Sequence, residues 1–260
     1  MKLMDTERER AGERFGRLLA PFVSMVSVAR HARTFHPDGL VFAGRVTPIS
    51  VDHRLAVMGQ RLAGSALARF SAALWRGGFE HLDVLGVALR LRGEDITDAK
   101  ARAGDQDLLF ATIRSPLTMA IAPLTTNAHD FARNRYWAVS PFDVAPIGRV
   151  KFRLSPERQV ARSFASREEK LLSAVESGRS AWRIEVRRAF SLGWTAVARL
   201  ELERVANVDQ ETLRFSPFHC GRHIVPRGFV HAIRRPVYEA GQRARPHHEV
   251  QQSRLTEELP

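Results

Sequence analysis

Short apolar runs, several of them strictly alternating, fill the middle of the chain and predict a sheet. Alternation of apolar and polar side chains is typical of a strand with one buried face. Turn residues at Pro37-Asp38-Gly39 precede the first run, and polar or glycine-rich breaks separate the next ones. Seven runs predict strands: 40–46, 66–71, 84–91, 107–113, 150–154, 182–186 and 196–205.

Helical spacing of apolar residues occurs at both ends of the chain and between the strands. Four segments have it, the second only in part: 5–31, 116–135, 166–177 and 231–245. Because the strands follow one another without regular helical crossovers, we expect about eight of them to form a largely antiparallel sheet or barrel. The prediction is therefore an α+β fold.

The composition is that of a globular protein. The 260 residues are 44% hydrophobic and 26% charged, and we predict one domain over 1–245 followed by a polar tail over 246–260. The charged N-terminus lacks the apolar segment of a signal peptide, and no apolar run has the length of a membrane span. The single cysteine, Cys220, excludes an intrachain disulfide framework. We expect a cytoplasmic protein.

The net charge of +12 raises the question of nucleic acid binding. Only four of the forty basic residues are lysines, and the arginines are spread along the chain rather than gathered in one arm. No helix-turn-helix, zinc-finger or RNP signature is present. Nucleic acid is therefore not the expected partner, although a basic barrel that binds an anionic partner stays an alternative.

Tyr238 lies in the most specific candidate pattern. Four residues would share one face of a helix over 231–245, at spacings of four, four and three: Arg234, Tyr238, Gln242 and Arg245. A guanidinium one turn from a phenol favours the phenolate, which is a hard ligand for ferric iron. Taken alone, the pattern is better explained by a surface helix whose tyrosine packs inward and whose arginines are solvated.

Two further candidates lie near the first two predicted strands. His36 precedes the first strand, where a histidine is usually structural or solvated; its functional interpretation is a base that moves a proton between the two oxygens of a peroxide. Arg69 and Ser71 end the second strand. A guanidinium pairs well with carboxylates, and the two haem propionates are carboxylates of this kind.

The order of these segments resembles the haem domain of catalases. Three motifs of that family are present in order. Arg-x-x-His-x-x-Gly is matched by Arg33, His36 and Gly39, and Arg-Phe-Ser is matched by Arg69, Phe70 and Ser71. Arg-x-x-x-Tyr-x-x-x-Gln-x-x-Arg is matched by Arg234, Tyr238, Gln242 and Arg245. Weaker matches to strands and to a turn of the family occur at 86–91, 106–109, 150–152 and 215–217. The resemblance runs from about residue 30 to residue 245, and the ordered set is more specific than any one motif.

The resemblance implies an eight-stranded antiparallel catalase-like β-barrel with N-terminal, middle and C-terminal helices. It also implies haem b, with Tyr238 as the ligand of its ferric iron. Arg234 would keep that tyrosine ionised, His36 would be the distal acid and base, and Ser71 would orient His36. The remaining matched residues would contact the haem or its propionates: Arg33, Arg69, Gln242 and Arg245.

The chain departs from the catalase pattern in three respects, one of which is Phe35 before His36, where typical catalases have a small β-branched residue. Catalases place an asparagine over the haem on the fourth strand, where this chain has Ala111 or Thr112, depending on the register. The chain is also roughly half as long as a small catalase subunit and lacks the arm and helical segment that narrow the family's channel. We expect a more open pocket and a weaker disproportionation of hydrogen peroxide.

The expected function is that of a haem peroxidase that reduces hydrogen or organic peroxides and oxidises small organic donors. The resemblance leaves open an isomerase of fatty-acid hydroperoxides, similar to allene oxide synthase, and a haem sensor or carrier with little turnover. The oligomeric state is also open, and a homodimer is compatible with the sequence.

Overall fold

The computed structural model describes residues 39–49, 53–73, 80–94, 98–157 and 165–228. The strands in these ranges are β1 (Gly39–Pro48), β2 (Gly64–Ala72), β3 (Leu85–Arg92), β4 (Gln106–Ala111), β5 (Tyr136–Trp137), β6 (Phe142–Val144), β7 (Gly148–Pro156), β8 (Ala181–Arg188), β9 (Thr195–Val205) and β10 (Ile224–Pro226). The α-helices are α1 (His53–Leu62), α2 (Ala122–Thr125) and α3 (Arg167–Glu176). Short 3₁₀ turns lie at Pro116–Thr118 and Phe131–Arg133.

Eight of the strands close into an antiparallel barrel. Their order is β1-β2-β3-β4-β5-β7-β8-β9, and β9 pairs again with β1. The short strands β6 and β10 extend from β7 beside the barrel. Closure leaves no long strand edge exposed within these eight strands. The predicted eight-stranded antiparallel barrel is confirmed.

The seven strands predicted from the sequence correspond to β1 to β4 and β7 to β9. The fourth ends at Ala111, two residues earlier than predicted, because the backbone and hydroxyl of Thr112 bind the backbone of Leu85 instead of extending the ladder. The pattern did not reveal β5, β6 and β10, which have only two or three residues each. It also missed α1, whose buried side chains Leu55, Met58 and Leu62 follow helical spacing.

Helix α3 confirms the helix predicted over 166–177. A capping box starts it, in which Ser166 accepts from the backbone of Glu169 and the Glu169 side chain accepts from the backbone of Ser166. The mixed segment over 116–135 contains α2 and both 3₁₀ turns. Within the described ranges, no helix is both long enough and apolar enough to cross a lipid bilayer.

Both terminal predictions concern parts of the chain outside the described residues. These are the helices over 5–31 and 231–245 and the boundary between the domain over 1–245 and the tail over 246–260. They stay predictions.

Aromatic side chains fill the interior of the barrel. Phe70 is at the centre of the cluster, with ring centroids 5.1 to 6.4 Å from those of Phe42, Phe131, Tyr136 and Trp182. An eight-stranded barrel is just wide enough for such side chains. A flat ligand larger than one aromatic side chain must therefore bind outside the barrel.

A second, smaller apolar cluster lies on the outer face of the barrel. Val41, Ala43 and Leu67 point outward from β1 and β2 and pack against the segment over 206–215. The backbone N–H of Ala206 donates to the carbonyl of Val41 over 2.8 Å and holds this segment in place. The outer face of β1 to β4 is thus a packed surface in its own right.

Candidate functional site

Small residues from four neighbouring strands meet in one row on the outer face of the barrel. The register places Gly39 of β1 opposite Ser71, Ser71 of β2 opposite Gly86, and Gly86 of β3 opposite Ala111 of β4. Their neighbours Phe70, Val87 and Phe110 point into the barrel, so these four point outward. We call Gly39, Ser71, Gly86 and Ala111 the small-residue row. No side chain of the row is larger than that of serine, and Ser71 and Gly86 are buried.

Arg69 lies in the next row and is buried against the first. The register places it between Val41 and Ala88, and only 4% of it is exposed. A Cβ atom at Gly39 would lie 2.9 Å from Arg69 Cζ and 2.5 Å from the carbonyl oxygen of Phe70. Glycine at position 39 is therefore what allows the Arg69 guanidinium to lie beside the small-residue row.

Arg90 and Asp107 form a buried ion pair in the third row. Arg90 Nε lies 2.8 Å from Asp107 Oδ1, Arg90 Nη2 lies 2.9 Å from Asp107 Oδ2, and both side chains are fully buried. The Phe215 ring packs on the guanidinium, with its centroid 5.0 Å from Arg90 Cζ. Such a two-point pair keeps its strands in register and compensates both buried charges.

The same carboxylate binds the segment that follows β9. Asp107 Oδ2 accepts a hydrogen bond from the backbone N–H of Ser216 over 2.9 Å and lies 2.8 Å from Nδ1 of His219. Arg90 also donates to the carbonyl oxygens of Ala99 and Arg214. The pair of Arg90 and Asp107 thus connects β3 and β4 to the loop that contains Ala99 and to the segment over 214–219.

Ala111 and Thr112 have different positions at the end of β4. Ala111 belongs to the small-residue row. The hydroxyl of Thr112 accepts from the backbone N–H of Leu85 over 3.1 Å and from the hydroxyl of Thr126 over 2.7 Å. Thr112 is therefore occupied in closing the end of the barrel, and Ala111 is the residue of the two that faces the row.

Tyr136, one of the two tyrosines of the chain, is a core residue. Its hydroxyl donates to the carbonyl of Phe131 over 2.7 Å. Burial, with a smaller contribution from the nearby Asp130 carboxylate, raises the pKa of Tyr136 well above its usual value near 10. Tyr136 is therefore a poor source of a phenolate.

The structure brings together three of the candidate residues named from the sequence. Arg69, Ser71 and Ala111 lie in adjacent rows of one outer face, and Thr112 lies at its edge. The remaining candidates lie outside the described residues: Arg33, His36, Arg234, Tyr238, Gln242 and Arg245. Their roles stay predictions.

The supporting network of Arg90, Asp107 and His219 was not predicted from the sequence. All three side chains are visible in the sequence. Arg90 lies 17 positions and His219 lies 112 positions from Asp107, so no local sequence pattern connects them. An alignment of the third and fourth strands as an antiparallel pair would have brought Arg90 opposite Asp107. The contact with His219 depends on the path of the chain after β9.

Comparison with solved structures finds the same fold in a fungal catalase. The two structures superpose with a TM-score of 0.54 at 13% sequence identity, and the match covers 80% of this chain and 56% of the catalase chain. This chain therefore spans little more than half the length of that catalase. No model of a known protein family matches the chain, and no curated protein matches it in sequence. At this level of identity the likeness shows a catalase-like fold.

Proposed function

We propose that this protein is a haem-dependent peroxidase, which reduces hydrogen peroxide or organic hydroperoxides and oxidises small organic donors. The observation that carries the proposal is the small-residue row with the buried Arg69 beside it. A haem is a flat macrocycle with apolar faces and two carboxylates at one edge. It needs a flat surface outside the filled barrel and a cation within reach of that surface.

The described residues fit this group. The small-residue row has the low profile that a macrocycle needs for close approach, and Arg69 is the planar cation suited to a propionate. Arg33 and Arg245 would supply further cations for the propionates, and Gln242 would contact the haem. The resemblance to catalases supports these assignments by residue type and order.

Tyr238 is the proposed iron ligand. The chain has only two tyrosines, and Tyr136 is a protonated core residue whose pKa is raised by burial. Arg234 lies four residues before Tyr238, one turn away if this segment is helical, and a guanidinium there would favour the phenolate. When bound, the haem supplies a ferric iron at which the O–O bond of a peroxide is cleaved.

His36 is the proposed proton carrier. It precedes Gly39 by three residues, so chain connectivity keeps its Cα within about 11 Å of the Gly39 Cα in any conformation. In the proposed mechanism His36 takes the proton from the inner oxygen of the peroxide and returns it to the outer oxygen, which leaves as water or an alcohol. Ser71, directly opposite Gly39, would orient the imidazole by a hydrogen bond.

Ala111 favours a peroxidase over an efficient catalase. The family's distal asparagine helps to hold peroxide, and we assign its place to Ala111, which has no hydrogen-bonding group. Hydrogen peroxide would then be held poorly as an electron donor, and an organic donor would supply the electrons instead. A fatty-acid hydroperoxide isomerase is the alternative that uses the same site without a donor.

The proposal is tested by titration of the apoprotein with haemin, with wild type beside Tyr238→Phe and with Tyr136→Phe as the matched tyrosine control. We expect one haem per chain, a Soret band and charge-transfer bands that change in Tyr238→Phe, and wild-type bands in Tyr136→Phe. We further expect peroxide-dependent oxidation of a phenolic donor that falls in His36→Ala. Absence of stoichiometric haem, or equal spectra for all three proteins, would contradict the proposal and favour a basic anion-binding barrel.

The two remaining alternatives have their own results in this experiment. Stoichiometric haem without peroxide-dependent donor oxidation would indicate a carrier or sensor. Consumption of a fatty-acid hydroperoxide without any donor would indicate the isomerase. Either result would replace the peroxidase assignment and leave haem binding intact.

A further inference from the structure

The loop between β8 and β9 presents two apolar side chains to solvent. Phe190 is 100% exposed and Leu192 is 97% exposed. The loop is nevertheless well formed, because Ser191 N–H donates to the carbonyl of Arg188 over 3.2 Å and Ala189 N–H donates to the carbonyl of Arg149 over 3.0 Å. We call residues 189–194 the apolar tip.

The backbone of Phe190 has a conformation that is unfavourable for its side chain. Its φ of +65° lies in the left-handed region, which a bulky aromatic residue rarely adopts and which glycine and asparagine tolerate. An exposed phenylalanine in this conformation contributes no packing to offset the strain. Strained residues of this kind concentrate at functional sites, so the position points to a role outside the fold.

A basic surface adjoins the apolar tip on the outer face of β7 and β8. It has five cations and one carboxylate on these two strands, which are Arg149, Lys151, Arg153, Arg183 and Arg187 with Glu185, and Asp143 of β6 pairs with Arg149. Lys151 and Arg187 lie directly opposite each other in the register. Like charges at such positions destabilise a sheet. Neither forms an ion pair with any carboxylate of the described ranges, so an external anion would stabilise both.

Trp194 joins the basic surface to the apolar tip. Its ring centroid lies 4.5 Å from Arg153 Cζ and 5.0 Å from Arg187 Cζ. These contacts hold the two guanidinium groups beside Trp194, the last residue of the apolar tip. Cations, an amphipathic indole and exposed apolar side chains thus follow one another along this surface.

We propose that the apolar tip and the basic surface dock the protein on an anionic lipid membrane. Phe190 and Leu192 would enter the boundary between headgroups and acyl chains, Trp194 would lie at the headgroups, and Lys151 and Arg187 would bind lipid phosphates. A nucleic acid would also bind the cations, but it offers no apolar layer for Leu192. The exposed leucine beside the exposed phenylalanine therefore favours lipid.

The apolar tip is distant from the Gly39 end of the small-residue row, whereas Arg153 of the basic surface is joined to Ala111 at the other end through Trp137 in the register. Strand β1 begins at Gly39 in the small-residue row and ends at Pro48, which pairs with Ala198 near the start of β9. The apolar tip precedes β9 immediately, so Phe190 and Leu192 lie near the end of β1 opposite to Gly39. Loss of docking should therefore leave turnover of a soluble peroxide unchanged.

The test is co-sedimentation of the full chain with vesicles of phosphatidylcholine alone or mixed with phosphatidylglycerol, at low and high salt. Wild type should bind the anionic vesicles and be released by salt. Phe190→Asn combined with Leu192→Ser should weaken the partition coefficient about tenfold or more. Because asparagine tolerates the conformation at position 190, the melting temperature should be no lower than that of wild type. Lys151→Glu should weaken binding to the anionic vesicles only.

Leu117→Ser is the matched control, since Leu117 is 96% exposed and lies in the 3₁₀ turn after β4, towards the end of the barrel that holds the row. It should bind like wild type. The proposal is overturned if the Phe190 and Leu192 variant binds as tightly as wild type, if Leu117→Ser is weakened equally, or if neutral vesicles bind as well as anionic ones. Binding of heparin or RNA without vesicle binding would show a polyanion surface instead and would also overturn it.

Discussion

Arg90 and Asp107 hold β3 and β4 together through two contacts of 2.8 and 2.9 Å between fully buried side chains. The pair lies on the same outer face as the small-residue row, two rows further along the strands. Because Asp107 also binds Ser216 and His219, it fixes the loop that follows β9 against the barrel. Its role is to position the outer face, and the proposed chemistry takes place at other residues.

Asp107→Asn should therefore strongly destabilise the fold. The change removes the nearest compensating charge of the buried Arg90 guanidinium and leaves only Asp105, which lies 3.9 Å away and also pairs with Arg92. The loss of one partner of a buried pair costs about 3–5 kcal/mol in comparable cases. The free energy of unfolding in urea measures this loss. Asp143→Asn is the control, because Asp143 pairs with Arg149 and Arg227 at the surface, where about 1 kcal/mol or less is expected. Equal losses would contradict the structural role of the buried pair.

Gly39→Ala should disturb the small-residue row. The added Cβ would lie 2.5 Å from a backbone oxygen and 2.9 Å from the Arg69 guanidinium, and overpacking of this kind costs about 1–3 kcal/mol. If haem binds at the row, the displacement of Arg69 should also weaken haemin affinity in a titration. Gly93→Ala provides the comparison, since no atom lies within 4 Å of its added Cβ. Unchanged stability and haemin affinity in Gly39→Ala would argue against a tightly packed row.

Ala111→Asn should shift the balance between two peroxide reactions. Ala111 occupies the end of the small-residue row opposite Gly86, where an amide could hold a second peroxide molecule. We expect oxygen release from hydrogen peroxide to rise relative to oxidation of a phenolic donor, as measured with an oxygen electrode and by donor absorbance. Thr112→Asn should not reproduce the gain, because the Thr112 hydroxyl closes the end of the barrel. A gain in Thr112→Asn alone would mean that the distal position lies one residue further along.

Tyr136 should make stability fall with alkaline pH. Its pKa is raised in the folded protein, mainly by burial, so the unfolded chain loses this proton first as pH rises above about 10. Stability from the protonated phenol is complete below that pH and is lost as pH rises towards the folded-state pKa. The slope is at most about 1.4 kcal/mol per pH unit for one proton. Urea unfolding of Tyr136→Phe should show a slope smaller by this amount, and equal slopes for both proteins would refute the assignment.

Tyr238 can be distinguished from Tyr136 by the same titration in the folded apoprotein. Only two tyrosines are present, and burial raises the pKa of Tyr136 well above its usual value in the folded protein. Any phenolate absorbance that develops before unfolding should therefore disappear in Tyr238→Phe and persist in Tyr136→Phe. Persistence in Tyr238→Phe would show that Tyr136 is accessible to hydroxide.

Local patterns along the chain determined the class of fold. Alternating or continuous apolar runs identify the strands because a strand has a period of two and the barrel buries one face of each. Arg69 and Ser71, separated by one residue, are on the same face for this reason alone. The two-residue strand β5 and the short strands β6 and β10 were beyond reach, since runs so short have no period.

Only the tertiary structure decided which residues share the outer face. Gly39, Ser71, Gly86 and Ala111 are spread over more than seventy positions, and only strand register brings them into one row. A shift of one residue would turn every one of these side chains towards the core. The burial of Arg69 and the exposure of Phe190 also depend on neighbours far away in the chain. The sequence thus determined which chemical groups are present, and strand pairing decided where they meet, because contacts across a barrel join residues without any local relationship.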